Sequence, residues 1–253
     1  MSHADPLLIQ SVEHPICGVV CPPGSKSLTN RALIIAALAN CPTRLSGLLA
    51  SDDTRVMIDS LQKLGFDVAH NIEKCHLDIS GHAGSIPAKS AKLFLENSGT
   101  SIRFLTALCA LGHGKYQLDG NKRMRERPII HLINALQQWG VDAQCEKTTG
   151  CPPVQINGNG LQGKVCSVAG NLSSQYLSAL LMVAPAAHNG ASILIEGELV
   201  SRPYIEMTIR VMEQFGVTVT HENFTQFHIA PQSYTSMTGE KQIQYEIEPD
   251  ASA

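Results

Sequence analysis

Cations in this sequence gather beside small polar residues. Lys26 lies within Pro23-Gly24-Ser25-Lys26-Ser27, with Arg31 a turn later, and Asn97-Ser98-Gly99-Thr100-Ser101 leads to Arg103. Asn171-Leu172-Ser173-Ser174-Gln175 is a third such stretch, and Arg125 and Arg127 share one further segment. Each of the three polar stretches precedes an apolar run of helical length, so each is a candidate helix N-terminus. Such an end exposes unpaired N–H groups and about half a positive charge, which favours phosphate or carboxylate. Capping by Ser, Thr and Asn would explain any one of them. Three equivalent ends on one domain, with five cations near them, point instead to an anion site. A nucleotide-hydrolase phosphate loop is excluded, because that motif needs glycine where Ser25 and Val20 stand. His131 and His188 have no evident carboxylate or cysteine partner in sequence and read as structural.

The elements that must hold these ends recur along the chain. Three apolar-patterned segments finish alike, in Leu64-Gly65-Phe66, Trp139-Gly140-Val141 and Phe215-Gly216-Val217, and their glycines stand at almost equal intervals. That spacing is a repeat. Ile58, Leu61 and Leu64, then Ile129, Ile133 and Leu136, then Ile205, Ile209 and Met212 predict amphipathic helices closed by a glycine cap. Alternating stretches follow at Phe66 to Ala69 and Val217 to Thr220, as half-buried strands require. Upstream, Ala32 to Ala39, Phe104 to Leu111 and Tyr176 to Val183 are apolar nearly all round, which predicts helices buried inside. Strand candidates Thr43 to Leu49, Lys115 to Gly120 and Ser192 to Gly197 separate inner from outer helix. The expectation is an α/β domain of three repeated units, at about 18–90, 91–165 and 166–243, with pseudo-threefold symmetry around three buried inner helices. Tyr245 to Glu248 reads as one more strand and Pro249 to Ala253 as one more polar loop, with Ser252 placed about one repeat interval after Ser174. The chain thus reads as a piece of a longer protein, stopping where a fourth inner helix should begin.

Composition narrows the classes. The 253 residues are 43% hydrophobic and 16% charged, with Lys+Arg 19 against Asp+Glu 22 and a net charge of -3. A chain of this make-up buries a core and is not largely disordered. No run approaches the roughly 18 apolar residues of a membrane span, and Met1 to Gln10 lacks a basic region ahead of an apolar stretch. The net charge gives no general pull toward nucleic acid or an anionic membrane. Eight cysteines without a C-x-x-C pair or zinc-like spacing read as free thiols of a reducing cytosol. A cytoplasmic protein without metal or cofactor is therefore expected, and Asn171-Leu172-Ser173 and Asn223-Phe224-Thr225 read as accidental glycosylation triplets.

Five segments in order carry a family resemblance: Pro23 to Ala32, Asn97 to Arg103, Arg123 to Ile129, Ser173 to Tyr176 and Ser201 to Tyr204. Together they closely resemble the 5-enolpyruvylshikimate-3-phosphate synthase family, the 3-phosphoshikimate 1-carboxyvinyltransferases, from about Gly18 to the C-terminus. The resemblance implies an inside-out barrel of two similar domains, each of three βαβαββ-type units, with the active site in the cleft between them. This chain would be one domain, 18–243, carrying stubs of the missing second domain at 1–17 and 244–253. The implied reaction moves the enolpyruvyl group of phosphoenolpyruvate to the 5-hydroxyl of shikimate 3-phosphate, in aromatic amino-acid biosynthesis.

By position, the resemblance implies that Lys26 contacts both substrates and that Ser27 and Arg31 hold shikimate 3-phosphate. Ser173, Ser174, Gln175, Ser201 and Tyr204 would complete that site, with donors suited to phosphate and hydroxyl groups. Gly99 and Arg127 would bind phosphoenolpyruvate, Gly99 because a side chain there would crowd the ligand; Asn97 and Thr100 shape the same loop. Lys26, Arg127 and Gln175 are the implied catalytic set on this chain. Glu96, Ser98 and Phe104 depart from the glycine, alanine and proline of many members, so sensitivity to glyphosate, the family's competitive inhibitor, is not implied. The family's acid/base carboxylates lie in the second domain, so this chain alone is expected to bind shikimate 3-phosphate weakly without turnover. Two alternatives share the fold. One is the enolpyruvyl transferase acting on UDP-N-acetylglucosamine, which has asparagine where Ser27 follows Lys26; the other is a non-catalytic binding domain, against which the abrupt end at Pro249 to Ala253 argues.

Overall fold

The computed structural model describes residues 14–250 except 16, 21 and 72–75. Most of the expected N-terminal stub, Cys21, Cys75 and the 251–253 end of the last polar loop lie outside the described residues.

The first unit runs α1 (Lys26–Leu38), β1 (Thr43–Ser46), α2 (Asp52–Lys63), β2 (Val68–Asn71) and β3 (His76–Ile79). The second runs β4 (Ser90–Phe94), α3 (Gly99–Cys109), β5 (His113–Asp119), α4 (Ile130–Gln138), β6 (Asp142–Cys145) and β7 (Val154–Asn159). The third runs β8 (Lys164–Ala169), α5 (Ser174–Val183), β9 (Ala191–Glu196), α6 (Arg202–Gln214), β10 (Thr220–Glu222) and β11 (Gln226–Ile229), and β12 (Ile243–Glu246) follows.

α1, α3 and α5 pack on one another in the middle, with buried runs through Thr29–Leu38, Ser101–Cys109 and Tyr176–Val183. Helices without a polar side can be satisfied only there. Each starts earlier than its apolar run, so Lys26, Ser27, Gly99, Thr100, Ser174 and Gln175 belong to first turns rather than to preceding loops. The polar residues of each first turn carry no apolar signal, so the pattern in the sequence marks each helix later than its backbone begins.

The outer helices end as expected. Gly65, Gly140 and Gly216 have φ of 89°, 83° and 81°. Phe66, Val141 and Val217 donate their N–H groups back to the carbonyls of Leu61, Leu136 and Met212. This is a Schellman closure, whose left-handed residue favours glycine.

Three four-stranded sheets surround the inner helices, in the orders β12-β1-β3-β2, β4-β5-β7-β6 and β8-β9-β11-β10. In each, the first pair is parallel and the other two pairs are antiparallel. β4, β8 and β12 are thus equivalent. The expected boundaries at 90/91, 165/166 and 243/244 each cut through one of these strands. The last boundary needs the larger correction: Ile243 to Glu246 pair in register with Thr43 to Ser46, so β12 is part of the first unit's sheet and not a stub. These strands lie at sheet edges, where a few buried side chains alternate with exposed ones, so the sequence marks a strand without marking its first residue or its partner. Gly24 bridges Pro249, Ser25 donates its N–H to the Glu248 carbonyl at 2.9 Å, and Asp250 donates to that of Pro23 at 2.8 Å, so the two ends of the body lie side by side. No helix among the described residues is long and apolar enough to cross a membrane.

Candidate anion-binding site

The first turns of α1, α3 and α5 open on one cavity of about 490 Å³. Lys26, Asn97, Gly99, Thr100, Arg127 and Gln175 line it, together with Asp52, Asp53, Val56, Glu96, Ser98 and Asn121. Neither Ser25 nor Ser98 caps its helix through its side chain, whereas the Ser173 hydroxyl accepts from the Gln175 N–H at 3.3 Å. The N–H groups of two of the three helix ends are therefore not occupied by side-chain caps and keep their capacity for an anion.

Cations are set at different depths. Arg127 is half-buried and donates to the Asn97 carbonyl at 3.0 Å. Burial lowers its pKa, and the neighbouring Arg103 guanidinium lowers it further. A guanidinium held among like charge and away from water gains more from an arriving carboxylate or phosphate than an exposed one would. A Cβ on Gly99 would strike the Arg127 guanidinium, so on this chain the glycine makes room for the arginine. Lys26 Nζ lies 3.3 Å from Asp53 Oδ2.

Arg31 is placed differently. It is only 2% exposed, and it donates to Thr208 Oγ1 at 2.7 Å, the Ser27 carbonyl at 2.9 Å, Ser178 Oγ at 3.2 Å and the Tyr204 carbonyl at 3.3 Å. Four of its five N–H groups are taken. Burial lowers its pKa to about 10, so it stays charged at neutral pH and ties α1, α5 and α6 together. Through those bonds it fixes the backbones of Ser27 and Tyr204, neither of which lines the cavity. Ser173, Ser174 and Ser201 likewise lie outside the lining. Ser201 precedes α6 in the left-handed region, φ 57°, a conformation serine holds only at a cost of order 1–3 kcal/mol.

Arg103 is legible in the sequence only as a cation near a polar stretch. It is nearly buried and donates to Gln175 Oε1, to the Gly99 carbonyl at 3.3 Å and to the Pro128 carbonyl at 3.3 Å, with its guanidinium 5.1 Å from the Tyr176 ring. Gln175 donates onward to Thr100 Oγ1 at 3.0 Å. Arg125 points elsewhere, paired with Asp119. Sequence reasoning places Glu96 only beside the Asn97–Thr100 loop and misses Asp52, Asp53 and Asn121 as lining residues. The signal for Asp52 and Asp53 is the capping sequence Ser51-Asp52-Asp53-Thr54, whose side chains close the N-terminus of α2.

Three αβ units around buried helices, with helix ends, two cations and three carboxylates converging on one cavity, define the class: an α/β domain with a polar, charged cavity at its inner-helix ends. Comparison with known proteins gives the family. The family model for EPSP synthase (3-phosphoshikimate 1-carboxyvinyltransferase) matches residues 11–253, and the chain belongs to that family. A 3-phosphoshikimate 1-carboxyvinyltransferase of Vibrio atlanticus is 44% identical over 232 residues, covering 91% of this chain and 54% of the relative. That of Trichormus variabilis is 43% identical over 249 residues, covering 98% and 57%. The chain spans about half the length of the curated relatives it matches. EPSP synthase from Acinetobacter baumannii shares the fold with a TM-score of 0.79 at 22% identity, over 93% of this chain and 50% of that one. The enolpyruvyl transferase NikO from Streptomyces tendae does so with a TM-score of 0.66 at 14% identity, over 94% and 53%.

Proposed function

We propose that this chain forms the half of a 3-phosphoshikimate 1-carboxyvinyltransferase active site that binds and orients shikimate 3-phosphate and phosphoenolpyruvate. The observation that carries the proposal is the convergence of Lys26, Gly99, Thr100, Arg127 and Gln175 on one cavity at the first turns of three inner helices. Arg127 and the α3 end suit the phosphoenolpyruvate anion. Gln175, Ser173 and Ser174 at the α5 end, with Ser27, Ser201 and Tyr204 beside it, suit the sugar-like hydroxyls and phosphate of the second substrate. Lys26 stands at the α1 end, where it can serve both. Arg31 supports Ser27 and Tyr204 from behind.

The reaction is an addition–elimination through a tetrahedral intermediate, and it needs acid/base groups within hydrogen-bond reach of the reacting atoms. The three carboxylates lining this cavity are engaged: Asp53 with Lys26, Glu96 and Asp52 with Arg55. The chain spans about half the length of its relatives, and on our reading it binds without turning over while a second half like theirs supplies further acid/base groups. Calorimetric titration and phosphate release test this together. Arg127→Ala should weaken phosphoenolpyruvate binding by about tenfold or more, the loss of a charged hydrogen bond. The unmodified chain should release no phosphate from the two substrates until the complementary fragment of a relative is added. Turnover by the chain alone, or indifference to Arg127→Ala, would refute the assignment. Ser27 after Lys26 favours shikimate 3-phosphate over UDP-N-acetylglucosamine, and competition between the two ligands checks that preference.

A further inference from the structure

Glu96 combines three features that do not belong together by chance of packing. Its backbone is left-handed, φ 49°, where a residue with a Cβ is strained. Its side chain lines the anion cavity. Its carboxylate is held by Arg55 Nη2 at 2.8 Å, reaching from the loop before α3 to the outer helix of the preceding unit.

Arg55 is the hub of an acidic wall. It also lies 3.5 Å from Asp52 and 3.4 Å from Asp59. Asp52 lines the cavity and Arg55 itself does not; it faces the adjoining groove with Asp52, Asp59 and His70. The cavity is accordingly two-sided in charge. Arg127, and Arg103 behind it, stand with the inner-helix ends, while Asp52, Asp53 and Glu96 stand on and against α2, where Lys26 of α1 pairs with Asp53 and leaves Asp52 and Glu96 to Arg55. An ordinary anion cavity would not place carboxylates in its lining, because each one repels the ligand.

We propose that Glu96 is a specificity-determining residue: its carboxylate, fixed against α2 by Arg55, penalises ligands whose second negative charge is turned toward α2 and so admits a compact anion in one orientation. The inference rests on the anion-binding role assigned above. Arg55 moderates the penalty by neutralising part of the wall.

Two substitutions separate this from a mechanical tie between α2 and the loop, because charge and mechanics give opposite signs. Phosphoenolpyruvate and inorganic phosphate are titrated into the full chain and followed by NMR shifts at low and high salt. Glu96→Gln should tighten phosphoenolpyruvate by about two- to fivefold, and inorganic phosphate by less; Arg55→Gln should weaken phosphoenolpyruvate by a similar factor. Both effects should shrink toward unity between roughly 0.05 M and roughly 0.5 M salt. Glu96→Gly removes the backbone strain as well as the charge, and should match Glu96→Gln in affinity. Shifts of the same sign in Glu96→Gln and Arg55→Gln, shifts indifferent to salt, or an effect confined to Glu96→Gly would overturn the proposal. If Arg127→Ala loses binding while Glu96→Gln changes nothing, the selector falls and the anion site stands. If the unmodified chain binds neither probe, both fall.

Discussion

Replacing Arg127 and replacing Arg31 should have unlike consequences, although both arginines lie in segments that mark the family. Arg127 makes one carbonyl contact and borders the cavity, so Arg127→Ala should change stability by less than about 1 kcal/mol. Arg31→Ala removes four hydrogen bonds that tie α1, α5 and α6 together and leaves a void where a buried guanidinium stood, and should cost about 3 kcal/mol, read as a fall in the urea midpoint. Gly99→Ala should behave like a mild Arg127 variant: the guanidinium is the movable end of a flexible side chain, so anion affinity falls while the fold holds. At this scale the sequence is informative about residue type and weak about depth. Lys26, Gly99, Arg127 and Gln175 can be matched to family segments. Nothing local distinguishes an arginine whose donors are spent inside, such as Arg31, from one that faces a ligand, because its partners Ser178 and Thr208 stand far along the chain, in the third unit. Arg103 is hidden for the same reason.

Among the elements, the glycine-capped outer helices are the most legible, since the cap is a local requirement met within a single turn. Their common geometry still predicts different tolerances. Gly140 has nothing within 4 Å of an added Cβ, so Gly140→Ala should cost only the left-handed penalty of about 1–2 kcal/mol. Gly65→Ala should cost more, because its Cβ would come within 2.9 Å of Pro87 Cβ. Thermal unfolding of the two variants orders them. The edge strands are least legible in their pairing: β12 turns Ile243 and Tyr245 inward and Gln244 and Glu246 outward, so a strand can be read there, but its partner stands at the opposite end of the chain. Its sheet carries a pH-sensitive pair. Arg44 donates twice to Asp78 at 2.8 Å, joining β1 to β3, and this hydrogen bonding holds the Asp78 pKa below the ordinary carboxylate value. The stability it contributes is present above the unfolded-state value of about 4 and is lost as pH falls through the lower folded-state value. The difference in urea midpoint between the unmodified chain and Asp78→Asn should therefore be positive at pH 7 and narrow in acid.

For the whole molecule, the repeat count and the buried centre can be derived from spacing alone, because a nearly constant interval between capping glycines and three all-apolar helices admit few arrangements. The closure of the first sheet by the last strand cannot. It is a relation between chain ends, and periodicity along the chain runs in one direction only. Deleting residues 243–250 should therefore damage the first unit rather than trim a tail. Ile243 and Ile247 are both buried, and losing them should cost about 3–6 kcal/mol, seen as a lowered melting temperature.

The pairing of Pro23, Gly24 and Ser25 with Glu248, Pro249 and Asp250 has a further effect. A body whose two ends touch can be spliced into a host at a single point without stretching the host, as circular permutation and domain insertion exploit. The touching ends lie directly against Lys26, so a strain that loosens the Ser25–Glu248 pairing should be felt first at the α1 end of the cavity.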